Sequence, residues 1–132
     1  MARRTSFDPF ATFVHLQEVG AAQPLKRTAS SWRKLTTDEG DRVVGALHGV
    51  KRSDFHPDEW EMHRAGDELL YLLSGALDVI LQEPRADRRV ALRAGEGFIV
   101  PRGLWHRLVM HRRSDLLFCT PPHGTQHKPV AA

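Results

Sequence analysis

Two glutamates and two histidines stand next to apolar stretches of the chain, where their side chains could hold a metal ion. Glu61, His63 and Glu68 fall within the segment EMHRAGDELLYLLSG, and His106 falls within LWHRLVMH. An isolated ionised carboxylate in an apolar interior costs on the order of several kcal/mol unless it is paired. Carboxylate oxygens and neutral imidazole nitrogens are ligands for divalent metals, and two carboxylates balance a 2+ charge. These residue types therefore favour a site for one divalent ion.

Strand periodicity places these four side chains on apolar faces of the predicted strands. Side chains alternate across a strand, so Glu61 and His63 point the same way. Glu68 shares its parity with apolar residues of the strand it opens, and His106 does the same in its own strand. No lysine or arginine shares the inferred face. We therefore expect a small-molecule pocket beside the ligands, lined by Leu70, Leu72, Leu104, Leu108 and Met110.

From residue 42 onward the chain shows short strands separated by turn residues, which predicts an all-β sandwich or barrel. The predicted strands are 42–49, 59–64, 68–75, 76–83, 88–95, 97–103, 104–111 and 115–122. Ser74-Gly75 predicts a tight hairpin, and Pro101-Arg102-Gly103 predicts a second sharp turn. Both parities are apolar in 69–73, so we expect this strand to be covered on both sides. The second cover would be another sheet, the N-terminal arm or a partner subunit.

The 132 residues suit one domain with a single hydrophobic core. Residues 1–41 are predicted to be an N-terminal arm packed on the barrel, containing an edge strand, FATFVHL, and one helical turn, SSWRKL. Residues 42–122 are predicted to form the β-barrel, and residues 123–132 an irregular C-terminal tail. We assign the remaining histidines to the surface or to loops: His15, His48, His56, His111, His123 and His127. Folding of the tail over the barrel mouth stays an alternative.

Composition narrows the partners that we expect. The net charge is +3, but the basic residues are scattered and accompany no recognition motif, so we expect no nucleic-acid partner. No apolar stretch is long enough to span a bilayer, so we expect no membrane association. The lone Cys119 and the lack of an apolar signal segment predict a cytoplasmic location.

The segments that carry the candidate ligands resemble the two sequence motifs of the cupin superfamily. The first motif runs His-x-His, three or four residues, Glu, six residues, Gly. The second runs Gly, five residues, Pro, x, Gly, two residues, His, three residues, Asn. The corresponding residues of this sequence are Glu61, His63, Glu68 and Gly75 for the first motif, and Gly95, Pro101, Gly103, His106 and Met110 for the second. Both motifs occur in order and together span residues 61–110.

This resemblance implies a single-domain jelly-roll β-barrel, commonly a homodimer, with one divalent metal at the barrel mouth. The family's ligand positions carry over to Glu61, His63, Glu68 and His106, with Glu61 standing where the first histidine usually stands. Met110 replaces the usual asparagine and leaves the site more apolar. The metal would be Zn, Fe, Mn or Ni.

Three interpretations of function stay open. The first is a metal-dependent enzyme of the dioxygenase or isomerase type, acting on a small, fairly apolar chelating substrate. The second is a non-catalytic module that binds a metal or a small metabolite, and the third is a vestigial site. Single residues also have alternatives: Glu61 could be a solvent-facing rim residue, and Asp67 could act in place of Glu68. His63 and His106 could be hydrogen-bonded core histidines.

Overall fold

The computed structural model describes residues 6–130, which contain eleven β-strands and two short helices. The strands are β1 (Thr12–Leu16), β2 (Ala22–Lys26), β3 (Arg42–Gly49), β4 (Glu59–Met62), β5 (Glu68–Ser74), β6 (Ala76–Leu81), β7 (Arg88–Arg93), β8 (Gly97–Val100), β9 (His106–Met110), β10 (Ser114–Thr120) and β11 (Gln126–Pro129). Helix α1 is Ser31–Lys34, and a 3₁₀ helix spans Arg52–Phe55. All eight strands predicted after residue 41 are present, most of them shortened at one end.

The strands form two antiparallel sheets that pack against each other. The first sheet has the order β2-β1-β3-β10-β5-β8, and the second has the order β11-β4-β9-β6-β7. The predicted all-β jelly-roll barrel is therefore confirmed. Among residues 6–130, no helix is long and apolar enough to cross a membrane.

Alternating side chains build the core between the sheets. In β5, Glu68, Leu70 and Leu72 are buried while the residues between them are exposed. β10 lies beside β5 and also buries every second residue, with Phe118 opposite Leu70 in register. The second sheet contributes apolar side chains from β6, β7 and β9. The inward faces of the two sheets therefore enclose one hydrophobic core.

Gly75 is a corner between the two sheets, and the hairpin predicted there is wrong. β5 pairs with β8 and β10, whereas β6 pairs with β7 and β9, so the strands on either side of Gly75 do not pair. Gly75 has φ of +94°, and a Cβ added to it would lie 2.2 Å from the backbone oxygen of Arg113. Only glycine fits this corner without strain. The predicted turn at Pro101–Gly103 is present, with the Leu104 amide donating to the Pro101 carbonyl at 3.2 Å.

Both ends of the chain are more regular than the sequence predicts. The predicted strand and helical turn of the N-terminal arm are present as β1 and α1, but β1 lies inside the first sheet, between β2 and β3. The predicted irregular tail instead contains β11, which pairs with β4 over its whole length. This part of the prediction is wrong because β11 is stabilised by pairing with a strand distant in sequence. Residues 1–5 and 131–132 of the predicted arm and tail lie outside the described residues.

One face of β5 is open in the single chain, so neither the second sheet nor the described part of the N-terminal arm is the predicted second cover, and a partner subunit stays a prediction. Leu69, Tyr71 and Leu73 are 50%, 39% and 44% exposed, and Ile99 on the neighbouring β8 is 61% exposed. Leu69 lies opposite Ile99 in register, so the exposed side chains form a continuous apolar surface.

Candidate metal centre

The four predicted ligands lie at one end of the space between the sheets. Glu61 is in β4, and His63 follows directly after that strand. Glu68 opens β5 in the opposite sheet, and His106 opens β9 directly across from Glu61 in register. The turn before β9 is tied to this group, because the Gly103 amide donates to the His63 carbonyl at 2.9 Å. The two segments that resemble family motifs therefore meet at one point.

The ligand atoms of these four residues converge. One oxygen or nitrogen from each of Glu61, His63, Glu68 and His106 lies within 4.8 Å of the others. Nε2 of His63 is 2.9 Å from Oε1 of Glu61 and 3.1 Å from Oε2 of Glu68. Nε2 of His106 is 3.2 Å from Oε1 of Glu68 and 3.8 Å from Oε1 of Glu61. Such spacing is compatible with bonds of roughly 2 Å from each atom to one central ion.

Neighbouring residues orient each imidazole. His63 uses Nδ1 for a hydrogen bond of 2.9 Å to the Thr125 hydroxyl, which leaves Nε2 facing the carboxylates. His106 donates from Nδ1 to the Leu104 carbonyl at 3.3 Å, so in the neutral ring Nε2 carries no hydrogen and can bind a metal. Metal-binding histidines in proteins are held in this way, by a hydrogen bond from the other ring nitrogen.

The unsatisfied Nε2 of His63 tests whether these residues suit a metal. This atom is buried and has no hydrogen-bond partner, although two carboxylate oxygens lie close to it. Neither contact meets the geometry of a hydrogen bond from this nitrogen. A buried nitrogen between two carboxylates calls for a positive charge, supplied either by a proton on the ring or by a shared cation. The donor set therefore fits a divalent ion.

The charges of the cluster shift its pKa values. Burial alone lowers the pKa of His63, but Glu61 and Glu68 outweigh this and raise it from 6.5 to about 9. Burial alone raises the pKa of Glu68, but His106 and His63 outweigh this and lower it from 4.5 to about 2. The pKa of Glu61 is also lowered, since His63 outweighs the effect of burial. Among residues 6–130, no lysine or arginine forms an ion pair with either glutamate.

A small cavity of about 120 Å³ leads to the cluster. Three of the four candidate ligands line it, together with Leu70 and Leu108 from the predicted pocket. Leu72 is fully buried in the core instead, and Leu104 and Met110 pack against that core without lining the cavity. The alternation of side chains along a strand predicts which of them face inward, but not how deeply each one is buried. It therefore does not separate core residues from cavity residues. The cavity also has lining residues outside the predicted set of ligands and pocket residues: Phe55, His56, Glu59, Arg107 and His127.

A larger cavity, of about 680 Å³, is lined by a different part of the chain. Its walls come from the segment that precedes β1 and from the β1–β2 hairpin, with Phe7, Val14 and Pro24 among them. None of the four candidate ligands contributes to it.

The structure decides several alternatives for single residues. Asp67 is exposed and accepts a hydrogen bond of 2.7 Å from the Arg102 amide, so it holds the bend and lies outside the cluster. His15 is buried and contacts Asp41 at 2.8 Å, which contradicts its assignment to the surface. His127 lines the cavity, with Nε2 2.8 Å from Oε2 of Glu61. This position agrees with the alternative prediction that the C-terminal tail folds over the barrel mouth.

Comparison with known proteins found solved structures that resemble this chain. Structures that resemble the chain include a cupin-2 domain protein from Shewanella frigidimarina NCIMB 400, which is 18% identical with a TM-score of 0.48, over 61% of this chain and 70% of that one. The hydroxypropylphosphonic acid epoxidase of S. wedmorenis is 15% identical with a TM-score of 0.51, over 60% of this chain and 42% of the epoxidase. A cobalt(II) form of that epoxidase with substrate has a TM-score of 0.50 at 15% identity, over 60% of this chain and 44% of that one.

At the level of sequence, none of the curated proteins compared with the chain matches it. The family model described as the cupin domain matches residues 52–129, which is more than half of the chain and includes all four candidate ligands. The chain therefore belongs to the cupin family.

Proposed function

We propose that this protein binds one divalent metal ion through Glu61, His63, Glu68 and His106. We further propose that it acts as a metal-dependent enzyme, of the dioxygenase or isomerase type, on a small, fairly apolar chelating substrate. The observation that carries the proposal is the convergence of four ligand atoms, one of which is the unsatisfied, buried Nε2 of His63. The ion would be Zn, Fe, Mn or Ni, and two carboxylates with two imidazoles suit any of these.

The surroundings of the cluster support binding of a small molecule. When bound, the ion would supply Lewis-acid or redox chemistry and keep two of six octahedral positions for a substrate or water. Glu68 and His106 are buried and line the cavity, while Leu70, Leu108 and Phe55 contribute apolar side chains to its walls. A volume of about 120 Å³ is small beside the roughly 300–1,000 Å³ of sites for drug-sized ligands. A compact substrate with two adjacent oxygens fits this description.

The metal site is tested by elemental analysis of protein purified without added metal and after anaerobic loading with each candidate ion. Wild-type protein should retain one equivalent, and Glu61→Ala, His63→Ala and His106→Ala should lose most of it. His111→Ala is the matched control, because His111 lies just beyond β9 and contacts Asp78, not the cluster. A wild-type protein that takes up no ion, or variants that retain it, would contradict the proposed site.

The alternative is a non-catalytic module that binds a metal or a small metabolite, which would use the same four ligands and the same small cavity. Oxygen uptake and product formation by the metal-loaded protein, with a panel of diketones, catechols and hydroxy ketones, separate the two functions. Turnover that is lost in His106→Ala supports an enzyme. Tight binding of such chelators without turnover, under any of the four metals, would favour a binding module.

A homodimer is part of the proposal, and the exposed surface of β5 and β8 supports it. Leu69, Tyr71, Leu73 and Ile99 form a contiguous apolar surface at the edge of the first sheet, as expected for a protein interface. Light scattering should give twice the monomer mass, and Leu69→Asp with Ile99→Asp should give a monomer. Val19→Asp is the control, since Val19 is 90% exposed in the β1–β2 turn. A monomeric wild type would contradict this part.

Cytoplasmic location stays a prediction from the lone Cys119.

A further inference from the structure

His127 lies beside the candidate metal centre without belonging to the four-residue cluster. It is in β11, directly opposite Glu61 of β4 in register. Its Nε2 lies 2.8 Å from Oε2 of Glu61, while Oε1 of the same carboxylate lies 2.9 Å from Nε2 of His63. The two oxygens of Glu61 therefore face different histidines, one inside the cluster and one outside it.

Glu61 is the least constrained of the four candidate ligands. Its side chain is 38% exposed, whereas those of His63, Glu68 and His106 are nearly inaccessible. Fixing a glutamate side chain costs rotamer entropy, and a free carboxylate can bind an ion through either oxygen or both. A residue that occupies one oxygen beforehand removes part of this freedom.

We propose that His127 is a positioning residue for metal binding, which holds Oε2 of Glu61 and so presents Oε1 alone to the ion. The inference rests on the proposed metal site. An ionised carboxylate only accepts hydrogen bonds, so Nε2 of His127 is the donor. Oε1 of Glu59 is 3.9 Å from the same nitrogen, beyond hydrogen-bond distance, so Glu61 is the partner that His127 holds.

The strand β11 offers a matched control for this role. Lys128 follows His127 and contacts the other side of the sheet, donating to Oε1 of Gln82 at 2.9 Å and lying 4.3 Å from the centre of the Trp105 ring. Loss of the Lys128 side chain weakens the docking of β11 but leaves the contact with Glu61. A variant of Lys128 therefore separates strand docking from ligand positioning.

The experiment measures Co²⁺ binding by the full-length wild-type chain and by His127→Ala, His127→Gln and Lys128→Ala. Co²⁺ is the probe because its visible absorption depends on coordination number and geometry. We expect His127→Ala to bind Co²⁺ about 10–100-fold more weakly, as is typical for loss of a residue that orients a ligand, and with an altered spectrum. His127→Gln keeps a donor near Oε2 and should recover most of the affinity and the wild-type spectrum. Lys128→Ala should match wild type.

Three results would overturn the inference. The first is equal affinity and spectrum for wild type and His127→Ala, and the second is equal weakening in Lys128→Ala. The third is His127→Gln behaving like His127→Ala, which would make His127 itself a ligand. Absence of Co²⁺ binding by wild type would remove the proposed metal site as well, so the two failures are distinguishable. Thermal unfolding of the metal-free variants checks folding, and His127→Leu replaces His127→Ala if that variant does not fold.

Discussion

The hydroxyl of Thr120 donates a hydrogen bond of 2.6 Å to Oε2 of Glu68, and both residues are buried. Thr120 ends β10 and Glu68 opens the adjacent β5, so the contact joins two strands of one sheet at the mouth of the core. Thr125 and His127 similarly contact His63 and Glu61. Residues 120–127 therefore contact three of the four candidate ligands, and the C-terminal segment is part of the site.

Replacement of Thr120 by valine should weaken metal binding by roughly tenfold, since outer contacts to ligands typically contribute 10–100-fold in affinity. Valine keeps the shape of threonine but removes the donor to Glu68. Competition with a chromogenic chelator gives the affinity directly. Thr120→Ser keeps a hydroxyl and should remain close to wild type. An unchanged affinity in Thr120→Val would mean that Glu68 does not need this hydrogen bond to bind a metal.

Metal binding near pH 7.5 should release about one proton from His63. The pKa of His63 is raised from 6.5 to about 9, so its ring is protonated in the metal-free protein at pH 7.5, and an ion at Nε2 must displace that proton. The apparent affinity should therefore rise with pH up to about 9. Protonated His63 also stabilises the metal-free fold, fully below pH 6.5, and this contribution is lost as the pH rises through about 9.

Calorimetric titration in buffers of different ionisation enthalpy counts the released protons. The release should fall toward zero at pH 10, where His63 is already neutral. The same count at pH 7.5 and pH 10 would show that His63 is not the proton source.

The ligands could be predicted from the sequence because their environment is local. Glu68 and the leucines after it alternate in one strand, and His106 alternates with apolar residues in another, so parity alone brings them to one interior. The choice of neighbouring strands in a sheet, in contrast, depends on residues that are distant in sequence. Gly75 marks a sharp turn, but nothing near it in sequence shows that the chain changes sheets there.

The position of His127 could not be predicted for the same reason. Its strand, QHKP, has no apolar alternation and ends in proline, so its composition favours a loop. The strand exists because it pairs with β4, and that register sets His127 opposite Glu61. Apolar residues on both faces of β5 likewise do not distinguish a cover within the chain from one on another chain. Leu69 and Leu73 are exposed to solvent in the single chain, whereas Leu70 and Leu72 on the other face are buried, as predicted.

Leu72 should contribute to stability and not to ligand binding, although parity groups it with the cavity residue Leu70. It is fully buried and does not line the cavity, so Leu72→Ala should lower the free energy of unfolding by about 2–5 kcal/mol. Urea denaturation measures the loss, and metal affinity should stay near wild type. Leu73→Ala, one residue along on the half-exposed face, should cost less than about 1 kcal/mol. Equal losses in the two variants would contradict this assignment.

Asp41 should stabilise the fold only in its ionised form. It is buried and accepts hydrogen bonds of 2.9 Å from the amides of Asp38 and Glu18, in addition to its contact with His15. These amides, foremost that of Asp38, lower the pKa of Asp41 from 3.8 to about 2 despite burial. A lowered pKa means that the stabilisation is complete above pH 3.8 and is lost as the pH falls through about 2.

The variant Asp41→Asn should therefore lower the free energy of unfolding at pH 7 by about 1–3 kcal/mol, since asparagine replaces an ionised acceptor with a neutral group. Urea denaturation at pH 7, 4 and 2.5 should show the difference from wild type shrinking at the lowest pH, because wild-type Asp41 then begins to lose its own charge. Asp38→Asn is the control, because the Asp38 side chain is exposed and only its backbone amide contacts Asp41. A difference that stays constant down to pH 2.5 would show that the charge of Asp41 contributes nothing, and that its shape and neutral hydrogen bonds hold the end of β1 beside the start of β3.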